Sequence, residues 1–192
     1  MNDMGDLMVK TKSTIDIERK KIFDELPPSF KQNSFASKIE GITGIAPFSE
    51  SYPPKVGLSK YRMKIACDIL VLEEEKPFLA IELETSQDPQ FIMGLIPLYM
   101  MTKWIKIRKG DMDLNQFPVE SPFLLLIILP NLTDTLREKW FDLEIKLREL
   151  LNLKENKVSS LTDFEICELP DYKASLKRLL ERNGYESYAN EI

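Results

Sequence analysis

Histidine is absent from this chain of 192 residues. That removes Ser-His-Asp and Cys-His catalysis, histidine-ligated zinc and an imidazole general base together. Hydrolytic chemistry here must run on carboxylates, lysines, hydroxyls or a hard metal ion. Oxygen-only ligation points to magnesium, manganese or calcium rather than zinc or copper. Cysteine is scarce. Cys67 and Cys167 lie far apart and neither belongs to a C-x-x-C pair, so reduced core thiols are expected rather than a disulfide framework or a zinc site. No apolar run reaches the ~20 residues that span a bilayer. The longest, Phe123 to Leu129, is strand-length. The stretch Met1 to Leu7 lacks the basic start and apolar core of a secretion signal. These absences predict a cytoplasmic protein with no membrane partner. The length favours one domain over 1–192, with 1–12 frayed and 130–192 a helix–strand–helix extension of the same domain.

The net charge of −5 argues against a nucleic-acid partner only until its distribution is read. Residues 1–110 hold 16 basic and 15 acidic side chains, and residues 111–192 hold 10 and 16. The acids of the first part include several that should not be solvated. With those set aside, that part is basic enough to face a phosphate backbone.

Asp68 stands inside Lys64-Ile65-Ala66-Cys67-Asp68-Ile69-Leu70-Val71-Leu72. Glu82 and Glu84 stand inside Phe78-Leu79-Ala80-Ile81-Glu82-Leu83-Glu84. Both runs read as buried strands, and ionised carboxylates rarely enter such runs without a partner. Side chains alternate along a strand, so Glu82 and Glu84 share a face. The polar stretch Glu73 to Pro77 reads as a hairpin loop of about five residues. Pairing Leu72 with Phe78 sets Leu70 against Ala80 and Asp68 against Glu82. Directly opposed side chains project from one face with Cβ atoms ~5 Å apart. A divalent cation is the simplest partner that three converging acids can share. The alternative is two ordinary strands whose acids face water.

Along the rest of the chain, Ser13 or Thr14 can cap a helix through Ile15–Leu26, ended by Pro27-Pro28. Ser34 can cap a short helix to Glu40, and a short strand is expected near Ile42–Phe48. After Glu84, Asp88-Pro89 should open a helix carrying Phe91, Ile92, Leu95, Tyr99 and Trp104, kinked at Pro97. Lys103 to Lys109 reads as helix end, strand or both. Phe123–Leu129, apolar throughout, predicts a strand covered on both sides. A helix Leu136–Leu151 starts from Asn131 or Thr133. A strand Phe164–Leu169 and a helix Asp171–Asn183, stopped by Gly184, complete the chain. This order predicts an α/β fold: a mixed central sheet, with an antiparallel meander carrying the acids, flanked by helices.

An Asp on one strand, an acidic pair on the next, then a helix and a buried strand resemble the PD-(D/E)xK nuclease superfamily, the fold of many type II restriction endonucleases. The shared features run from about Ser34 to Leu129. Asp68 matches the Asp and Glu82 the first acid of the pair. Glu84 stands where the superfamily usually has lysine, so the motif reads E-x-E. Cys67 stands where proline often precedes the Asp. The resemblance implies a restriction endonuclease-like core and magnesium-dependent hydrolysis of DNA phosphodiesters, with manganese a possible substitute. Asp68, Glu82 and Glu84 would be catalytic. Asp68, Glu82 and Glu40, the latter the best-placed helical acid, would hold the metal. If a lysine completes the site, Lys64, Lys103 and Lys106 are the candidates.

Other features are read beside this one. Lys64, Lys103, Lys106, Arg108 and Lys109 interleave with Tyr61 and Trp104 as backbone-binding surfaces do, or end solvated elements. Asp163, Glu165 and Cys167 share a strand face, either a second metal site or, as preferred, a solvated edge. Leu136, Trp140, Leu143, Leu147 and Leu151 form one helical stripe, either core or the seam of a homodimer suited to a palindrome. The function expected is a small restriction-type DNA endonuclease. The alternatives are a repair or recombination nuclease on the same fold, a catalytically inactive nucleic-acid-binding module, or a metal-binding protein of other purpose.

Overall fold

The computed structural model describes residues 17–32, 42–45, 67–73, 76–84, 89–100, 102, 104–109, 112–152 and 159–192. In chain order it contains helix α1 (17–25), a short helix α2 (Pro28–Gln32) and strand β1 (Ile42–Ile45). The hairpin β2 (Ile69–Glu73) and β3 (Lys76–Leu83) leads to helix α3 (Pro89–Met100). Strands β4 (Trp104–Lys109), β5 (Met112–Pro118) and β6 (Phe123–Leu129) precede helix α4 (Asp134–Leu151). Strand β7 (Leu161–Glu168) and helices α5 (Tyr172–Arg182) and α6 (Glu186–Ala189) close the chain.

The central sheet has four strands in the order β2-β3-β6-β7. β2 and β3 are antiparallel, and β3–β6 and β6–β7 are parallel. The sheet is therefore mixed and flanked by helices, as an α/β fold requires. All seven residues of β6 are buried. This follows from its position: it is an inner strand, and each face is covered by a separate apolar cluster. Leu70, Ala80, Leu125, Ile127 and Phe164 meet α3 and α4 through Ile92, Ile96, Tyr99, Trp140 and Leu147. Ile69, Val71, Ile81, Leu124 and Leu126 meet α1, α2, α5 and α6 through Ile22, Leu26, Phe30, Leu176 and Ala189.

Element ends follow local chemistry. Pro28 opens α2 and Pro89 opens α3, where a missing N–H is no loss. Thr133, in extended conformation, is the N-cap of α4. Asn152 ends that helix in the left-handed region at φ 40°. Gly184 lies at φ 82° just past α5, a conformation glycine adopts without a Cβ penalty.

Several expectations are corrected. The strand expected near Ile42–Phe48 exists over Ile42–Ile45, but it joins β4 and not the hairpin. β1, β4 and β5 form a separate three-stranded antiparallel sheet, so the acids lie on a two-stranded hairpin rather than a meander. Trp104 is on β4, because α3 ends at Met100. β5, with its mixed polar sequence, had no periodic signal. The stripe on α4 is core: Trp140 and Leu147 are buried, and Leu136, Leu143 and Leu151 pack against the cluster. The helix expected between Ser34 and Glu40 lies outside the described residues.

Candidate functional site

The hairpin register places the acids. Leu70 pairs with Ala80 and Ile69 with Ile81, which carries Asp68, at the bend before β2, to the level of Glu82. The expected Leu72–Phe78 pair does not form. An irregularity between Val71 and Leu72 sets Leu72 against Pro77 and Glu73 against Lys76, so the connection is shorter than five residues. The slip falls beyond Leu70, and the acid end of the hairpin keeps the register that brings the carboxylates together.

Asp68 and Glu82 are tied by reciprocal backbone bonds. The Asp68 N–H donates to Glu82 Oε2 at 3.3 Å, and the Leu83 N–H donates to Asp68 Oδ2 at 2.8 Å. Glu82 is 4% exposed. Its Oε1 accepts a short hydrogen bond from the Tyr99 hydroxyl on α3. Asp68 Oδ1 forms an ion pair of 2.5 Å with Arg19 on α1, the side chains being 17% and 15% exposed. Arg19 follows from α1's packing: Arg19, Ile22 and Leu26 share one helical stripe, and the last two are buried on the sheet. Glu84 is half-buried at the end of β3, its N–H bonded to Ile128 O at 2.9 Å.

Burial pushes the Glu82 carboxyl well above the ordinary carboxylate range, and the Asp68 charge adds to this. Burial, then the Asp68 charge, pushes Glu84 up to about 7. Asp68 is raised by burial even though the Leu83 N–H and Arg19 act to lower it. Burial also raises Cys67 and Tyr99, beside the same charges. In this poorly hydrated place Asp68 and Glu84 disfavour ionisation of Glu82, and Asp68 disfavours that of Glu84. Among the described residues, one guanidinium stands against them.

A hard divalent ion fits this donor set by charge and by atom type. The oxygens nevertheless stand turned to Leu83 N–H, Arg19, Tyr99 and Asp68 N–H. Among the described residues no group of three or more Asp, Glu, Cys or His side chains is spaced to hold a metal as it stands. Coordination would draw on the remaining lone pairs of Asp68 and Glu82 and on Glu84.

Other expected site residues fall elsewhere. Glu40, Lys64 and Lys103 lie outside the described residues. Lys106, Arg108 and Lys109 are on β4 in the second sheet, opposite Gln116, Asp113 and Met112. On α1, before the hairpin, Glu18 Oε2 is buried without a hydrogen-bond partner. Asp163 and Glu165 form neither a second metal site nor a solvated edge face. Both are buried and bound to Arg148, Arg178, Arg182 and Asn183. Cys67 and Cys167 are buried free thiols. Sequence reasoning missed Arg19 and the role of Tyr99. The spacing of Arg19 from Ile22 and Leu26 was the available signal.

Comparison with protein-family models, curated proteins and solved structures found no match. No helix among the described residues is long and apolar enough to cross a membrane.

Proposed function

We propose that the chain is a divalent-metal-dependent endonuclease that hydrolyses DNA phosphodiesters, of the restriction type. The observation that carries this reading is the meeting of Asp68 and Glu82 across the hairpin, with Glu84 near enough for the Asp68 charge to raise it. A cation would offset the burial and charge that raise Glu82 and Glu84. The topology is consistent: an acid before an edge strand, two at the end of its neighbour, then a helix and a parallel buried strand.

Asp68, Glu82 and Glu84 would hold the ion; Glu40, the helical acid expected beside them, lies outside the described residues. A divalent ion held there would supply Lewis-acid polarisation of the scissile phosphate and make water a better nucleophile. The chain's own groups do the rest. Tyr99 and the Asp68 N–H fix both oxygens of Glu82, so its orientation is set before substrate arrives. Leu83 N–H and Arg19 do the same for Asp68. Glu84, exposed enough to meet water, accepts the proton of the attacking water. That water's oxygen bonds to phosphorus as the phosphorus–oxygen ester bond breaks, and the leaving oxygen takes a proton from solvent.

Lys64, Lys103, Lys106, Arg108 and Lys109 are the proposed backbone contacts, and a homodimer would present two such sites to a duplex. The α4 core stripe is not its seam. The cytoplasm is the proposed location. A second reading, a binding module without turnover, is favoured by one observation: the carboxylate oxygens already have internal donors.

Supercoiled plasmid incubated with the protein and magnesium separates these. Cleavage that chelator abolishes, and that Asp68→Ala or Glu82→Ala lowers at least about a hundredfold with the fold retained, supports the nuclease. Discrete fragments mark restriction, and structure-selective nicks mark repair. Binding that weakens steeply with salt, without cleavage, marks the module.

A further inference from the structure

Asp68 is the only one of the three acids for which an ion pair is found among the described residues. Its partner is supplied from the opposite layer. α1 packs through Ile22 and Leu26 on the sheet face away from Tyr99, and Arg19, one turn before Ile22, closes on Asp68 at the start of edge strand β2. Arg19 is largely buried, and a guanidinium stays charged at any working pH. It is therefore a permanent positive charge in contact with a carboxylate that the nuclease reading assigns to a metal.

We propose that Arg19 is a positioning residue, the resident counter-ion of Asp68, whose charge weakens the site's hold on a divalent cation. The inference rests on the proposed metal site and adds its regulation. Asp68 keeps two anchors, the Leu83 N–H on Oδ2 and Arg19 on Oδ1. Loss of Arg19 leaves the first, so the carboxylate stays at the hairpin. A cation arriving beside Asp68 is repelled by a unit charge a few ångströms away, in surroundings where screening is weak. The same charge keeps the apo cluster from carrying three unrelieved carboxylates. Arg19 thus trades metal affinity for a preformed Asp68 before metal arrives. A purely structural role predicts the opposite sign: without Arg19 the site would loosen and bind metal less well.

The test is calorimetric titration of manganese into wild type, Arg19→Gln, Arg19→Lys and Glu82→Gln, with melts in chelator and in manganese. Wild type is expected to bind saturably and Glu82→Gln to lose that binding. Arg19→Gln should bind about tenfold tighter, as a unit charge within several ångströms implies. Arg19→Lys, which keeps the charge, should stay within about threefold of wild type. Arg19→Gln should melt lower than wild type in chelator yet gain more from manganese. If Arg19→Gln does not melt cooperatively, Arg19→Met, which keeps the apolar stem, carries the same expectation. Tight binding by Arg19→Gln with none by wild type also supports the proposal. Unchanged or weaker binding by the variant, with wild type binding normally, overturns the role of Arg19 and leaves the metal site standing. Binding by neither protein, or binding that Glu82→Gln retains, overturns both.

Discussion

The two edges of the central sheet each carry buried carboxylates, and the protein treats them in opposite ways. On β7, Asp163 and Glu165 meet three arginines. Arg182 bonds Asp163 Oδ2 at 2.6 Å and Glu165 Oε2 at 2.9 Å, Arg178 bonds Glu165 Oε1 at 3.0 Å, and Arg148 reaches both acids. Arg148 and Arg182 also donate to the Phe164 carbonyl on this edge strand. Burial alone would raise Asp163, but Arg182, Asn183 and Arg148 hold its carboxyl below its ordinary value. On the β2–β3 edge, among the described residues, one arginine, Arg19, meets Asp68, and the carboxyls of Asp68, Glu82 and Glu84 are all raised. The β7 acids are fully answered and lock helices onto the sheet. Among the described residues the hairpin acids have less positive charge beside them, the kind of arrangement that functional sites often hold.

The largest test of this contrast breaks the answered edge. Asp163→Asn removes one of the two acids that Arg148 and Arg182 share, leaving only Glu165 to meet both inside a buried network. It should lower stability by about 2–4 kcal/mol in urea unfolding. Cleavage per folded molecule should be unchanged, since no hairpin acid is touched. The sign of the pH dependence follows. The folded pKa of Asp163 is depressed, so its stabilisation is present above the unfolded value of 3.8 and is lost as pH falls through the folded one. The variant should therefore show a flatter acid limb than wild type.

At the hairpin edge the expected effect is smaller and of opposite sign. Glu82 is raised, so wild type loses stability as pH climbs from the unfolded value of 4.5 through the folded one. Glu82→Gln keeps an oxygen for Tyr99 and removes the charge. It should melt a few degrees higher than wild type at pH 8, converge with it near pH 4, and lose cleavage. A variant less stable than wild type at pH 8 would mean that the Glu82 charge is already answered in the fold.

Much of this was legible in the sequence. The uniform apolarity of Phe123–Leu129 announced an inner strand, and the pairing of Leu70 with Ala80 was read correctly. The stretch Glu73 to Pro77 signalled the hairpin. The rest depended on contacts between distant segments. Nothing local joins Ile42–Ile45 to β4, because that pairing is set across about sixty residues. Asp163 and Glu165 alternate as a solvated edge strand would, and only the arginines of α4 and α5, folded over that edge, reveal them as buried. Arg19 sits in the run Arg19-Lys20-Lys21, where one base looks like the next. Its burial beside Ile22 is what separates it.

The most direct measurement is a crystal soaked in manganese and examined by anomalous diffraction. A peak is expected between Asp68 and Glu82, within ligand distance of both, and none at Asp163 or Glu165. No peak at the hairpin under saturating manganese, or a peak at the β7 acids instead, would contradict the proposed metal site.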